Sequence, residues 1–298
     1  MYYHGILMEV LFVKGGNATK VLLMVWMALT LATCTSIERG FLPDARLIDS
    51  HWESHALGSH EVLNHAPWDR FLATYVTIDD HGAARVRYGD VTTADRDALN
   101  QYISKLSKAP LSRMPRDRQR AFWINLYNAL TVDLVLDHYP VKSIRKIKPG
   151  FLPVGPWDME LITVEGRRLT LNDIEHRILR PLWQDPRIHY ALNCAAAGCP
   201  NLQRQAFTAD NTEALLEAGA LAFINDPRGV EFDRRGRLTV SKIYAWFKED
   251  FGGTVDGVLD HLRHYAGPEL SERLADTRRI ARYRYDWPLN EAKGEPGD

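Results

Sequence analysis

RQRAFWINLYNALTVDLVLDHYP, residues 118–140, decides the architecture. Projected at about 100° per residue, Trp123, Leu126, Tyr127, Leu130 and Leu134 form one stripe, while Phe122, Ile124, Ala129, Val132, Val135 and Leu136 cover most of the remaining circumference. A helix that is apolar on nearly every side must be covered by other elements, so this segment is expected to be the central helix of the core. Asp117 is placed to cap its start and Pro140 to stop it. Asn125 and Asn128 interrupt the apolar surface one turn apart. A buried amide costs free energy unless its donors and acceptors are paired. Each therefore either ties the helix to neighbouring loop backbone or contacts a substrate in a cleft, and both readings stand.

Working outward, helices are expected over 95–106, 208–225 and 254–266 and from Ser241 to Gly252. Another runs from Thr170, with Asp173 as a capping-box acid, to Pro181. WDMELITVEGRRL (157–169) reads as a hairpin turning at Glu165 and Gly166, and GVEFDRRGRLTVS (229–241) as a second. IHYALN (188–193) reads as a β-strand by length and composition. Helices alternating with short hairpins imply an α+β class: a buried central helix with further helices packed on a small antiparallel sheet. No repeat or low-complexity linker divides residues 67–290, so one domain is expected there, after an irregular lead-in (34–66) and before a flexible tail (291–298). The lead-in histidines, His51, His55, His60 and His65, are irregularly spaced without carboxylates at ligand distance. They read as surface residues, and no metal site is expected.

The 298 residues are 45% hydrophobic and carry 37 basic against 38 acidic side chains, a formal charge of -1. That composition suits a folded globular protein, and near-neutrality gives no field to gather polyanions. No phosphate-cradling glycine loop, dinucleotide fingerprint or nucleic-acid motif is present, so neither a nucleotide cofactor nor a nucleic-acid partner is implied. At the N-terminus, Lys14 and Lys20 precede an apolar run over residues 21–32, long enough for a signal-peptide core and short for a spanning helix. Export with residues 1–33 as signal peptide is expected. LATC (31–34) resembles the lipobox of bacterial lipoproteins with Thr33 in place of the usual small residue, which makes Cys34 the candidate for lipidation and membrane attachment.

If Cys34 is so used, Cys194 and Cys199 remain, within RIHYALNCAAAGCPNL (187–202). Three readings compete. Cys194 is a nucleophile with His189 as general base and Glu175 or Asn193 orienting the imidazole; or Cys194 and Cys199 close a small disulfide loop, which export favours; or His189, Cys194 and Cys199 bind zinc, although neither gap fits the usual ligand spacing. Along a straight strand His189 and Cys194 point to opposite faces and lie roughly 16 Å apart. The first reading therefore demands a sharp bend at or before Asn193. The small residues of AAAG allow a ligand or another segment to approach the backbone closely.

WINLYNAL (123–130), YPVKSI (139–144), LTLNDIEHRILR (169–180), DPRIHYALNCAAAGCPNL (185–202) and YRYDWPLN (283–290) together resemble the DUF547 family, a domain of unknown function, across roughly residues 68–290. The resemblance implies a site built from His189, Asn193, Cys194, Cys199 and Glu175. Such a set is similar in residue types to thiol hydrolases of the papain and transglutaminase kind. In those enzymes the cysteine begins the central helix and precedes its histidine, whereas here His189 comes first. The function implied is a thiol-dependent hydrolase or acyl-transferase acting on an amide or thioester of a small molecule or peptide, with backbone amides near Cys194 holding the oxyanion. The alternative is a non-catalytic envelope protein whose Cys194–Cys199 disulfide shapes a ligand cleft. Asp286 either orients His189 or merely accompanies Tyr283, Tyr285 and Trp287 in pinning the C-terminus to the core; packing is the preferred reading.

Overall fold

The structure, a computed structural model, describes Arg39 and residues 42–56, 63–147 and 155–292. The expected signal peptide, Cys34, His60 and most of the expected tail lie outside the described residues. From Leu42 onward the chain forms one compact unit of mixed helix and sheet. The α+β class holds, in the form of helices around three small sheets among the described residues.

The helix Arg116–Asp137 runs through the middle of the core, with every residue from Gln119 to Val132 buried. Asp117 does not cap it: Pro115 holds that position, and Asp117 sits in the first turn, where an acid favours the positive end of the helix dipole. Helix Thr93–Leu106 packs on it and helix Ala66–Tyr75 packs on Thr93–Leu106, the two joined by the hairpin β1 (Val76–Ile78) and β2 (Ala84–Val86). The lead-in is less irregular than expected, since Asp49 caps a 3-10 turn, Ser50–Glu53, that buries Trp52 against Trp123. Its histidines are also not all surface residues. His65 packs on Tyr102 with a 2.7 Å hydrogen bond, and His51 bonds Glu165 at 2.6 Å.

The hairpin β3 (Ile162–Val164) and β4 (Arg167–Leu169) turns at Glu165 and Gly166, both with positive φ, as the sequence implies. Thr170 and Asp173 then form a reciprocal capping box. Pro181 does not end the helix that follows. Residues Glu175–Leu179 widen into a π-turn in which the Arg180 N–H reaches back to the Glu175 carbonyl, and one more α-turn, Arg180–Trp183, carries Pro181. Widening immediately before a residue with no N–H lets the chain stay helical where a regular ladder would clash.

IHYALN is not a strand. Residues Ile188–Ala191 form a single helical turn. Ile188 and Ala191 face the core around the central helix, while Tyr190 enters a second cluster with Phe223, Tyr244 and Leu259. The turn is thus buried on all sides, and a continuous apolar run of that length has no period that separates strand from helix. The helix expected from Thr208 begins at Thr212, after Thr208 and Asn211 bond each other's backbone. The Ser241–Gly252 segment divides into an α-turn, Ile243–Trp246, and a 3-10 turn, Lys248–Phe251, ending at Gly252 with φ +88°.

The hairpin β5 (Val230–Phe232) and β6 (Leu238–Ser241) is joined by β7 (Arg282–Arg284), parallel to β6, so this sheet is mixed rather than antiparallel. Beyond β7 the terminal segment bridges Ala196 through Leu289 and Val86 through Glu291. One strip of chain thereby ties together the third sheet, the cysteine loop and the first hairpin. Helix Val255–Tyr265, capped by Thr254, and helix Pro268–Ala275 complete the fold. Among the described residues no helix is long and apolar enough to cross a membrane.

Candidate active site

The π-turn lifts Glu175 out of regular helical register into a buried charged assembly. His189 stands beside it: Nδ1 faces Glu175 Oε1 at 3.6 Å, and Nε2 bonds Asp250 Oδ2 at 2.7 Å. The imidazole stacks on Phe247 with centroids 4.2 Å apart and planes within 6°. Arg180 grips Asp250 from the other side, Nε to Oδ2 at 2.6 Å and Nη2 to Oδ1 at 3.0 Å. From the central helix, the Tyr127 phenol is kept well above its ordinary range, first by burial and then by the Glu175 charge. Burial opposes ionisation of Glu175, but the His176, His189 and Arg180 groups around it reverse that and hold its carboxyl at about 2. Asp250 is likewise held well below the usual carboxylate range by His189 and Arg180 against the effect of burial. Two permanent carboxylates thus clamp one histidine, which fixes its ring as second carboxylates do in catalytic and metal-binding histidines.

Cys194 is elsewhere in the same neighbourhood. After the 188–191 turn the chain does bend, with Leu192 extended and Ala195 at φ +58°. The bend brings Cys194 to Cys199 rather than to His189. The two sulfurs stand as a disulfide pair with Cα atoms 6.3 Å apart. The Cys194 N–H donates to Cys199 Sγ at 3.0 Å, and the Tyr285 hydroxyl lies 3.0 Å from Cys194 Sγ and 3.1 Å from Cys199 Sγ. Tyr285 packs on Trp246 and Trp287. Burial first, then the Glu175 charge, keep its phenol far above the ordinary range and so protonated. Cys194 is half-buried and Cys199 is buried. His189, with both ring nitrogens turned to carboxylates, is not in hydrogen-bond contact with Cys194, so the direct base role expected for it is corrected.

The small residues after Cys194 have a partner: the terminal segment. Ala197 N–H donates to Pro288 O at 2.7 Å and Gly198 N–H to Asp286 O at 2.9 Å. A Cβ on Gly198 would stand 2.6 Å from the Asp286 nitrogen, so only glycine permits this approach. Asp286 contributes its backbone here and its side chain is exposed, so it does not orient His189.

The three asparagines hold the backbone. Asn193 receives the Ala195 N–H at 2.9 Å and gives a hydrogen bond to Pro200 O at 2.8 Å, bracing the loop from within. Asn128 accepts from Asn193 N–H and donates to Ala191 O, each at 2.8 Å. Asn125 pairs with both Phe207 backbone groups, at 2.7 and 2.9 Å. Asn125 and Asn128 are buried, so of the two roles open to them the structure supports the tie to loop backbone and not the substrate contact. Asn193 fixes the cysteine loop rather than the imidazole. Asn125→Ala would leave the Phe207 N–H and C=O unpaired in the core, and a loss of about 3 kcal/mol is expected in urea unfolding. A loss below about 0.5 kcal/mol would mean that this pairing contributes nothing.

His176 gives the site a pH signature. Burial pushes its imidazole down to about 4, with Glu175 pulling the other way. The unfolded chain takes up this proton near pH 6.5, its ordinary value, while the folded protein does so only near 4. The unfolded state therefore holds more protons across that window, and stability falls as pH drops through it. His261, also lowered to about 4 with burial as the largest cause, acts in the same direction. Urea midpoints at pH 6.5, 5.5 and 4.5 should decline in the wild type and decline less steeply in His176→Phe; parallel slopes would exclude His176 as a source.

Asp250, Arg180 and Tyr285 carry much of this site, and no local pattern in the sequence marks them for it. Asp250 and Tyr285 are about 60 and 90 residues from His189 and Cys194. The motif that draws the eye cannot announce partners that only the tertiary fold delivers. Among the described residues no three His, Cys, Asp or Glu side chains are arranged to hold a metal ion. No curated protein and no solved structure matches the chain. Residues 111–224, which hold the central helix, Glu175, His189 and both loop cysteines, match the family model described as protein of unknown function, DUF547.

Proposed function

We propose that this protein is an exported thiol-dependent hydrolase or acyl-transferase whose nucleophile, Cys194, rests in a disulfide with Cys199 and is released by reduction. The observation that carries the reading is the placement of a part-buried cysteine, paired to a buried one, under a protonated tyrosine and beside a buried assembly of His189 with the carboxylates of Glu175 and Asp250. Clusters of strongly perturbed groups favour a functional site over a purely structural one. Once reduced, the Cys194 thiolate attacks an acyl carbonyl, a C–S bond forms, and collapse of the tetrahedral adduct expels the leaving group; water or an acceptor then takes the acyl group and restores the thiolate. With His189 held by two carboxylates, the proton donor facing the sulfur is Tyr285, whose phenol keeps its proton. A thioester, whose thiolate departs without needing a proton, suits this site better than an amide.

The lysine-preceded apolar run over residues 21–32 supports export, and Cys34 supports a lipid anchor; the mass of the mature N-terminus from a membrane fraction tests both. A second reading, a non-catalytic ligand-binding protein, is favoured by the loop's close tie to the terminal segment, since a disulfide there needs only to hold shape. Titrating free thiols in the native protein before and after a mild dithiol, with iodoacetamide labelling across pH, separates the two. The enzyme reading expects no thiol before reduction and selective alkylation of Cys194 after it. Resistance of the folded protein to the dithiol, with ligand binding unchanged in Cys194→Ser, would leave the binding reading.

A further inference from the structure

We infer that Tyr285 is a catalytic residue of the thiol site: its hydroxyl donates to Cys194 Sγ and stabilises the thiolate that forms when the Cys194–Cys199 pair is reduced. The inference rests on Cys194 being the reactive thiol and adds the group that activates it. Two donors approach the two sulfurs. The Cys194 N–H is directed to Cys199 Sγ at 3.0 Å, which satisfies the buried sulfur from within the loop. Tyr285 Oη lies within reach of both, and with Cys199 already served its single proton is available for Cys194 Sγ, at 3.0 Å. Cys194 is also the more exposed of the two, so the sulfur that receives this proton is the one a substrate reaches.

The hydroxyl is fixed from several directions. Its ring packs on Trp246 at 4.8 Å and on Trp287 at 4.8 Å. The neighbouring Gly198–Asp286 backbone pair fixes the chain one residue away. The charged groups acting on it are Glu175 and Asp286, which favour the protonated phenol, and Arg228, which opposes them while bonding the Cys199 carbonyl at 3.1 Å. A phenol kept protonated cannot act as a base. It can act as a donor, and a sulfur anion gains more from a hydrogen bond than a neutral thiol does, so donation lowers the pH at which the thiolate forms.

The step balances. An external dithiol supplies two electrons and two protons, its own sulfurs closing to a disulfide as the Cys194–Cys199 bond opens to two thiols. Cys194 then loses its proton to water, and the anion accepts the Tyr285 O–H. No proton leaves Tyr285.

The test is the pH dependence of Cys194 alkylation by iodoacetamide in dithiol-reduced, folded protein, resolved by peptide mass, in wild type and Tyr285→Phe. The wild-type midpoint should lie below the ~8.5 of a free cysteine. Tyr285→Phe should raise it by about one pH unit, with labelling slowed several-fold at pH 7 in protein whose near-ultraviolet circular dichroism is unchanged. Equal midpoints in the two proteins overturn the inference. If Tyr285→Phe does not fold, the wild type alone decides: a native midpoint at or above that of the urea-unfolded chain overturns it, and one lower by about a unit sustains it. The labelling midpoint needs no substrate. Absence of thioester turnover would therefore defeat the proposed function while leaving this result readable.

Discussion

Arg180→Leu should destabilise the folded protein by about 3–5 kcal/mol, read as a fall in the urea midpoint at pH 7. Arg180 is 7% exposed, its fork is closed on both Asp250 oxygens, and its guanidinium lies over Phe247 at 4.9 Å. Leucine fills much of the volume but leaves Asp250 and Glu175 facing one another's field with only His189 between them. The cost is the desolvation of carboxylates that have lost their permanent cation, which exceeds what an exposed ion pair contributes. The pH dependence identifies the cause. Both carboxyls are held below their ordinary range in the folded state, so the stability they confer is present above that range and is lost as pH falls through it. The wild type and Arg180→Leu should therefore converge as the solution is acidified toward pH 3. Arg180→Lys, which restores the charge without the bidentate fork, should recover part of the loss. An Arg180→Leu protein as stable as wild type at neutral pH would show that the carboxylates need no such partner.

What the sequence made legible divides along the range of the interactions. The central helix could be read because its apolar pattern is its own property, and the turn at Glu165 and Gly166 and the Thr170–Asp173 box because capping and turn chemistry are local. The 188–191 turn reads as a strand because burial on every side erases the period that distinguishes helix from strand. Pro181 reads as a helix stop because the π-turn that absorbs it leaves no compositional mark. At the site, Glu175 and His189 stand side by side, and the chain bends near Asn193, but the bend serves Cys199. The loop's small residues did signal a close approach, and the partner proved to be the chain's own terminal segment. That segment carries Tyr285 to the sulfurs, a long-range event that no spacing rule within residues 187–202 contains.

The same geometry makes the two loop cysteines unequal, and the largest functional effect should follow from exchanging them one at a time. With phenyl thioacetate as the probe, Cys194→Ser is expected to lose thioester hydrolysis by at least about a thousandfold whether or not a dithiol is present, because a serine hydroxyl without a facing base is a poor nucleophile. Cys199→Ser should behave in the opposite way. Cys199 is buried and its sulfur is turned to the Cys194 N–H, so its role is to close on Cys194, and its removal should leave activity that no longer depends on reductant. Serine can accept the same N–H, which keeps the loop's internal hydrogen bond. Wild type should then be silent when oxidised and rise to the Cys199→Ser level on reduction. If Cys194→Ser keeps its activity, the nucleophile lies elsewhere in the cluster. If Cys199→Ser instead loses activity together with the near-ultraviolet signature of Trp246 and Trp287, the pair is a structural brace, and the binding-protein reading gains what the enzyme loses.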